Sequence, residues 1–93
     1  MLGNELNEFM DDMYHNPEKE ITCFGKKYMI TGYVDKTCEL YTLEVYTIES
    51  EPKELFKFTS KIRHECVEAF EQAKIFDGKT IYEAEKDIEV LFG

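Results

Sequence analysis

The chain has 93 residues, 43% hydrophobic and 14% aromatic, with 20 acidic side chains against 11 basic ones and a formal net charge of −9. That length suits one domain with one modest core, and six Tyr with seven Phe are too many for a disordered acidic tail. The charge argues against a surface that grips phosphates, whether of nucleic acid or of an anionic membrane, and favours basic partners.

Residues 4–15 are predicted to form an amphipathic helix. Leu2, Leu6, Phe9, Met10 and Met13 share one side, and Glu5, Glu8, Asp12 and His15 the other. Asn4 is a suitable cap, and Asn16-Pro17 ends the helix because a residue before Pro is pushed out of the α region. A hairpin follows, Glu20–Phe24 and Lys27–Val34, turning at Gly25-Lys26. After a turn at Asp35–Cys38 comes the longest strand, Glu39–Glu49, rich in Tyr, Thr and Val. Ser50–Lys53 is a third turn, and Glu54–Phe58 a short last strand. The connections are too short for parallel crossovers, so the strands form an antiparallel meander. Alternation places Ile21, Cys23, Tyr28, Ile30, Tyr41, Leu43, Val45, Phe56 and Phe58 on a buried face. Thr22, Met29, Thr31, Tyr33, Thr42, Glu44, Tyr46 and Lys57 fall on the other.

Thr59 or Ser60 caps a second predicted helix over 61–73, with Ile62, Cys66, Ala69, Phe70 and Ala73 inward. Asp77-Gly78 is a turn signal, and Thr80-x-x-Glu83 is a capping box opening a third predicted helix over 80–91, with Ile81, Ala84, Ile88 and Leu91 inward. The expected fold is therefore a single α+β domain. It has an antiparallel three- to four-stranded meander, with one N-terminal and two C-terminal helices packed on one face.

Charge is uneven along the chain. Residues 1–20 hold six acids and one base, residues 21–60 six and five, and residues 61–93 eight and five, net −5, −1 and −3. Acid–base catalysis needs carboxylates in a cleft, and these fall on polar faces and turns. Cys23, Cys38 and Cys66 are odd in number and include no CxxC, which argues against a disulfide framework or zinc site. His64 and Cys66 are two apart on a helix and point to different faces, so they form no dyad. No phosphate-binding glycine loop, nucleophile elbow or calcium loop is present. The expectation is a non-enzymatic protein with no cofactor and no metal. Reduced thiols, and the lack of a leader or a membrane-spanning stretch in this sequence, point to the cytoplasm.

The helix Asn4–His15, the meander Glu20–Phe58 and the helices Ser60–Ala73 and Thr80–Leu91 give an αβββ(β)αα order. In layout, size and acidity the whole chain resembles a group of small phage-encoded anti-CRISPR proteins that inhibit Cas9. The fourth strand departs from their three-stranded layout. The resemblance implies an acidic domain that occupies a DNA-reading site, with carboxylates replacing DNA contacts. The expected partner is thus a basic protein, such as a nucleic-acid enzyme of the Cas nuclease class, and no nucleic acid is bound directly. Asp35, Glu39, Glu49, Glu51 and Asp77, set in turns, are the expected charge contacts, with Tyr33 and Tyr46 as aromatic anchors. An immunity protein that neutralises one cognate toxin is the alternative.

Overall fold

Apolar residues every three or four positions bury one side of the first helix, α1 (Gly3–Met13): Leu6, Phe9, Met10 and Met13 all lie in the core. The computed structural model describes the backbone of residues 3–48 and 51–92, so Leu2 and Glu49 lie outside the described residues. Asn4 sits inside the helix, which starts one residue before it.

Four strands then run as the alternation predicts: β1 (Lys19–Cys23), β2 (Lys26–Asp35), β3 (Leu40–Thr47) and β4 (Glu54–Ser60). Neighbours pair antiparallel, with Ile21 opposite Tyr28, Ile30 opposite Val45 and Val45 opposite Phe56. The turn between β1 and β2 centres on Phe24 and Gly25, both with positive φ (52° and 77°), one residue before the expected position. Two successive positive φ values suit the twist of a two-residue hairpin. Helix α2 (Arg63–Gln72) is shorter than expected, and the side chain of its N-cap Ile62 supplies no capping bond. Ser60 Oγ instead accepts the Ile62 N–H at 3.1 Å and so shapes the approach to the helix.

The third helix does not form. The capping box itself is made: the Thr80 N–H donates to Glu83 Oε1 at 3.0 Å, and the Glu83 N–H to Thr80 Oγ1 at 3.2 Å. That turn is followed only by a short 3-10 helix over Glu85–Asp87, and then by a fifth strand, β5 (Ile88–Phe92). β5 pairs antiparallel with β1, giving the order β4-β3-β2-β1-β5. Without β5, the outer backbone groups of β1 would lack a ladder partner, whereas Ile88 and Val90 suit a strand well. Ile81, Ala84 and Ile88 are buried as the helical pattern expected, but Leu91 is 45% exposed.

The described fold is thus α+β, with an antiparallel five-stranded sheet and two helices. One sheet face joins α1, α2 and the 75–84 segment in a single core. Phe76 sits at the centre of that core, edge-on to Tyr28 (5.1 Å) and Phe70 (6.4 Å), while Phe70 also meets Phe56 at 6.1 Å. Such pairs add about 0.5–1.5 kcal/mol each beyond the area they bury. Arg63 ties the two helices together, donating from Nη1 to the Tyr14 carbonyl at 2.8 Å while lying over the Tyr41 ring.

Candidate protein-docking site

The alternation of β2 and β3 puts Met29, Tyr33 and Tyr46 on the sheet face away from the core, as the register shows: Met29 opposes Tyr46, and Tyr33 opposes Thr42. This face carries no helix, yet its side chains already bind one another. The Tyr33 hydroxyl donates to Glu44 Oε1 at 3.0 Å, and Glu44 pairs with Lys57 across β4 at 3.5 Å. Thr42 and Thr59 share a hydrogen bond of 2.9 Å.

The expected charge contacts fall into two groups. Asp35 and Glu39 bracket the turn from β2 to β3, close to Tyr33. Glu51 and Asp77 lie at the other end of the sheet, roughly 25 Å away given the eight residues of β3. Glu49 lies outside the described residues. Several of these carboxylates have local work. Asp35 Oδ1 accepts the Thr37 N–H at 2.9 Å, and bonds of this kind to backbone hold its carboxyl below the usual aspartate range. Asp77 occupies a positive-φ turn position and pairs with Lys26 at 2.9 Å. Lys53 lines the same hollow as Lys26 and Asp77, so this end of the molecule is nearly balanced in charge.

The concentrated negative charge lies elsewhere. Glu5, Glu8 and Asp12 recur at helical spacing along α1, and β5 brings Glu89 to the border of the same groove. Together with Phe9, Lys19, Ile88 and Val90 they line a groove of about 570 Å³. The α1 wall sets three carboxylates against one ammonium, a local net charge of −2, and Glu89 borders the groove from the face of β5 that opposes Thr22. Lys19 is almost fully buried, with Nζ 2.6 Å from Asp12 Oδ2 and 5.2 Å from the Phe9 ring centroid. The pair Lys19–Asp12 therefore balances itself, while Glu8, exposed on α1, adds negative charge to the groove wall, with Glu89 at its border. Phe9, Ile88 and Val90 supply its apolar surface. An apolar trough edged by carboxylates suits the alkyl stem and charged head of a Lys or Arg side chain.

This site was hidden from sequence reasoning because Glu89 was assigned to a helix. The run Ile88-Glu89-Val90-Leu91-Phe92, with β-branched and aromatic residues, was the available signal.

Cys66 and His64 lie in different surroundings on α2. Cys66 is buried, its Sγ directed at the Tyr41 and Phe58 carbonyls (3.6 and 3.7 Å), while His64 is exposed on the same helix. Burial pushes the Cys66 thiol up and the Cys23 thiol up to about 11, which keeps both protonated and poorly nucleophilic near neutral pH. Among the described residues, no group of three or more His, Cys, Asp or Glu is placed to hold a metal ion. No described helix is long and apolar enough to cross a membrane.

Comparison with protein-family profiles, with curated proteins and with solved structures gives no match.

Proposed function

We propose that this chain is a non-enzymatic binding protein that docks on a basic surface of another protein and so competes with polyanions for it. The observation that carries this reading is the groove between α1 and β5, where Glu5 and Glu8 of α1 edge apolar surface and Glu89 marks its strand border. Charged rims set the rate and specificity of docking, while the apolar centre holds the partner. Enzymes that handle nucleic acid, Cas nucleases among them, present basic surfaces of this kind. Because Thr80–Leu91 forms no third α-helix, the resemblance to the anti-CRISPR layout rests on α1, the meander and α2 alone.

The test is inhibition of a panel of nucleic-acid enzymes, an RNA-guided nuclease included, by the chain and by Glu8→Lys/Glu89→Lys. Stoichiometric inhibition that fades with salt and is lost in the double variant is expected. Inhibition that survives the double variant contradicts the reading, as does product formation by substoichiometric amounts of the chain alone.

A further inference from the structure

β5 is an edge strand of the sheet, paired with β1 on one side. Natural edges are commonly guarded by Lys or Pro. The opposite edge follows that rule, since Lys57 sits within β4 and is about half exposed. β5 has neither residue between Ile88 and Phe92. Its exposed residues are apolar apart from Glu89: Val90 is 39% and Leu91 45% exposed. The groove described above runs along this same strand, with α1 as its far wall.

We propose that β5 is a strand-addition edge, and that its occupant is an extended segment of another protein with Lys or Arg at alternate positions. This rests on the reading of the chain as a binder of basic protein surfaces. It adds the mode of binding and the form of the ligand. An added strand would hydrogen-bond along the outer side of Glu89–Leu91, where no strand lies. Its alternate side chains fall on the α1 side of the sheet, beside Glu5 and Glu8, and there a basic side chain finds both carboxylate and apolar surface. The intervening side chains fall on the open face, beside Glu89, which opposes Thr22 of that face. A bulge sets Leu91 between the paired residues Val90 and Phe92, which bends the end of β5 and keeps the added strand short.

Charge also decides against a second copy of this chain as the occupant. Pairing β5 with β5 would bring two sets of Glu5, Glu8 and Glu89 together, and like charges facing each other across an interface oppose docking.

The experiment uses the full chain and four synthetic peptides. One alternates Lys with Val, a second replaces Lys by Glu, and the other two carry N-methyl groups on the backbone amides of one edge or the other. Binding is read by fluorescence anisotropy and by amide hydrogen exchange of the chain. The Lys peptide is expected to bind and to slow exchange at residues 89–91. N-methylation of one edge, and not of the other, should weaken it at least ~10-fold, since that edge loses its ladder bonds. Glu8→Lys, an exposed change on α1, should weaken it about 5-fold or more. If the Lys peptide binds but tolerates methylation of either edge and leaves exchange at β5 unchanged, strand addition is wrong while the basic-surface reading stands. If Lys and Glu peptides bind alike or not at all, both fail. Concentration-dependent dimers lost in Val90→Lys would assign the edge to a second copy and overturn the proposal.

Discussion

Gly32 offers a direct test of how the core is packed. It lies in β2 with φ outside the left-handed region, so an alanine there meets no backbone penalty and only the space around it matters. An added Cβ would press on the Tyr41 hydroxyl and lie 2.5 Å from Pro17 Cγ and 3.0 Å from Tyr41 Cζ. Tyr41 has little room to retreat, because its ring is covered by the Arg63 guanidinium at 4.7 Å. Overpacking of this kind costs about 1–3 kcal/mol, and the strand gain of Ala over Gly offsets about 0.5–1 kcal/mol of it. Gly32→Ala should therefore lose roughly 1–2 kcal/mol, a shift of roughly 1 M in the urea midpoint for a domain of this size. The Tyr41 hydroxyl is buried with no hydrogen-bond partner among the described residues. Tyr41→Phe should thus be neutral or stabilising, since an unsatisfied buried hydroxyl costs about 1–3 kcal/mol. It also removes the atom nearest the new Cβ. Gly32→Ala should then cost at least ~1 kcal/mol less in the Tyr41→Phe background, with Pro17 and the retained ring carbon at position 41 responsible for the remainder. Equal costs in both backgrounds, measured by urea unfolding, would refute the packing argument. So would a clear loss of stability in Tyr41→Phe alone.

Other outcomes follow from particular contacts. Asp12→Ala leaves the buried Lys19 ammonium without its carboxylate and should cost about 1–3 kcal/mol, whereas Lys19→Met removes the charge and should cost less; urea midpoints compare the two. Phe24→Asn relieves a bulky residue at φ 52° ahead of Gly25 and should stabilise by up to ~1 kcal/mol, reduced by loss of the Lys79 contact with its ring. Raising the pH should destabilise the fold through Cys23. Its thiol ionises near 11 when folded against an ordinary value of 9.0, so the unfolded chain releases that proton first and gains stability relative to the fold. The contribution is intact below pH 9 and fully lost above about pH 11, amounting to roughly 2–3 kcal/mol relative to Cys23→Ala. A thiol reagent should label Cys38 rapidly in the native protein, and Cys23 and Cys66 only on unfolding.

Much of this fold was legible because its signals are local. Residues such as Ile21 and Cys23, or Leu43 and Val45, alternate with polar neighbours, and Gly25 and Pro52 punctuate the strands. The C-terminal segment misled because two patterns overlap there. Thr80 and Glu83 do form their reciprocal cap, and Ile81, Ala84 and Ile88 do face inward, but the demand of β1 for a second neighbour outweighs helical spacing beyond Asp87. Long-range pairing of this sort leaves little trace in a short window. The same error hid the groove. Glu5 and Glu8 were visible as an acidic helix face, but only β5 converts that face into one wall of a trough. Glu39, Glu51 and Asp77 do lie in turns or bends and Asp35 ends β2, yet a linear sequence does not reveal that Asp35 and Asp77 sit at opposite ends of the sheet. Lys19 escaped notice because a single lysine before a strand reads as surface, although Asp12 and Phe9 enclose it.

The claim that the groove is the docking surface is tested most directly by mapping a basic ligand onto the chain. Backbone amide shifts would be followed while an extended Lys-rich peptide is titrated into the isotopically labelled protein. The account predicts shifts concentrated on residues 5–12 and 88–91, fading with salt and abolished in Glu8→Lys/Glu89→Lys. Shifts centred instead on Asp35 and Glu39, on Glu51 and Asp77, or on the open face around Tyr33 and Tyr46 would contradict it.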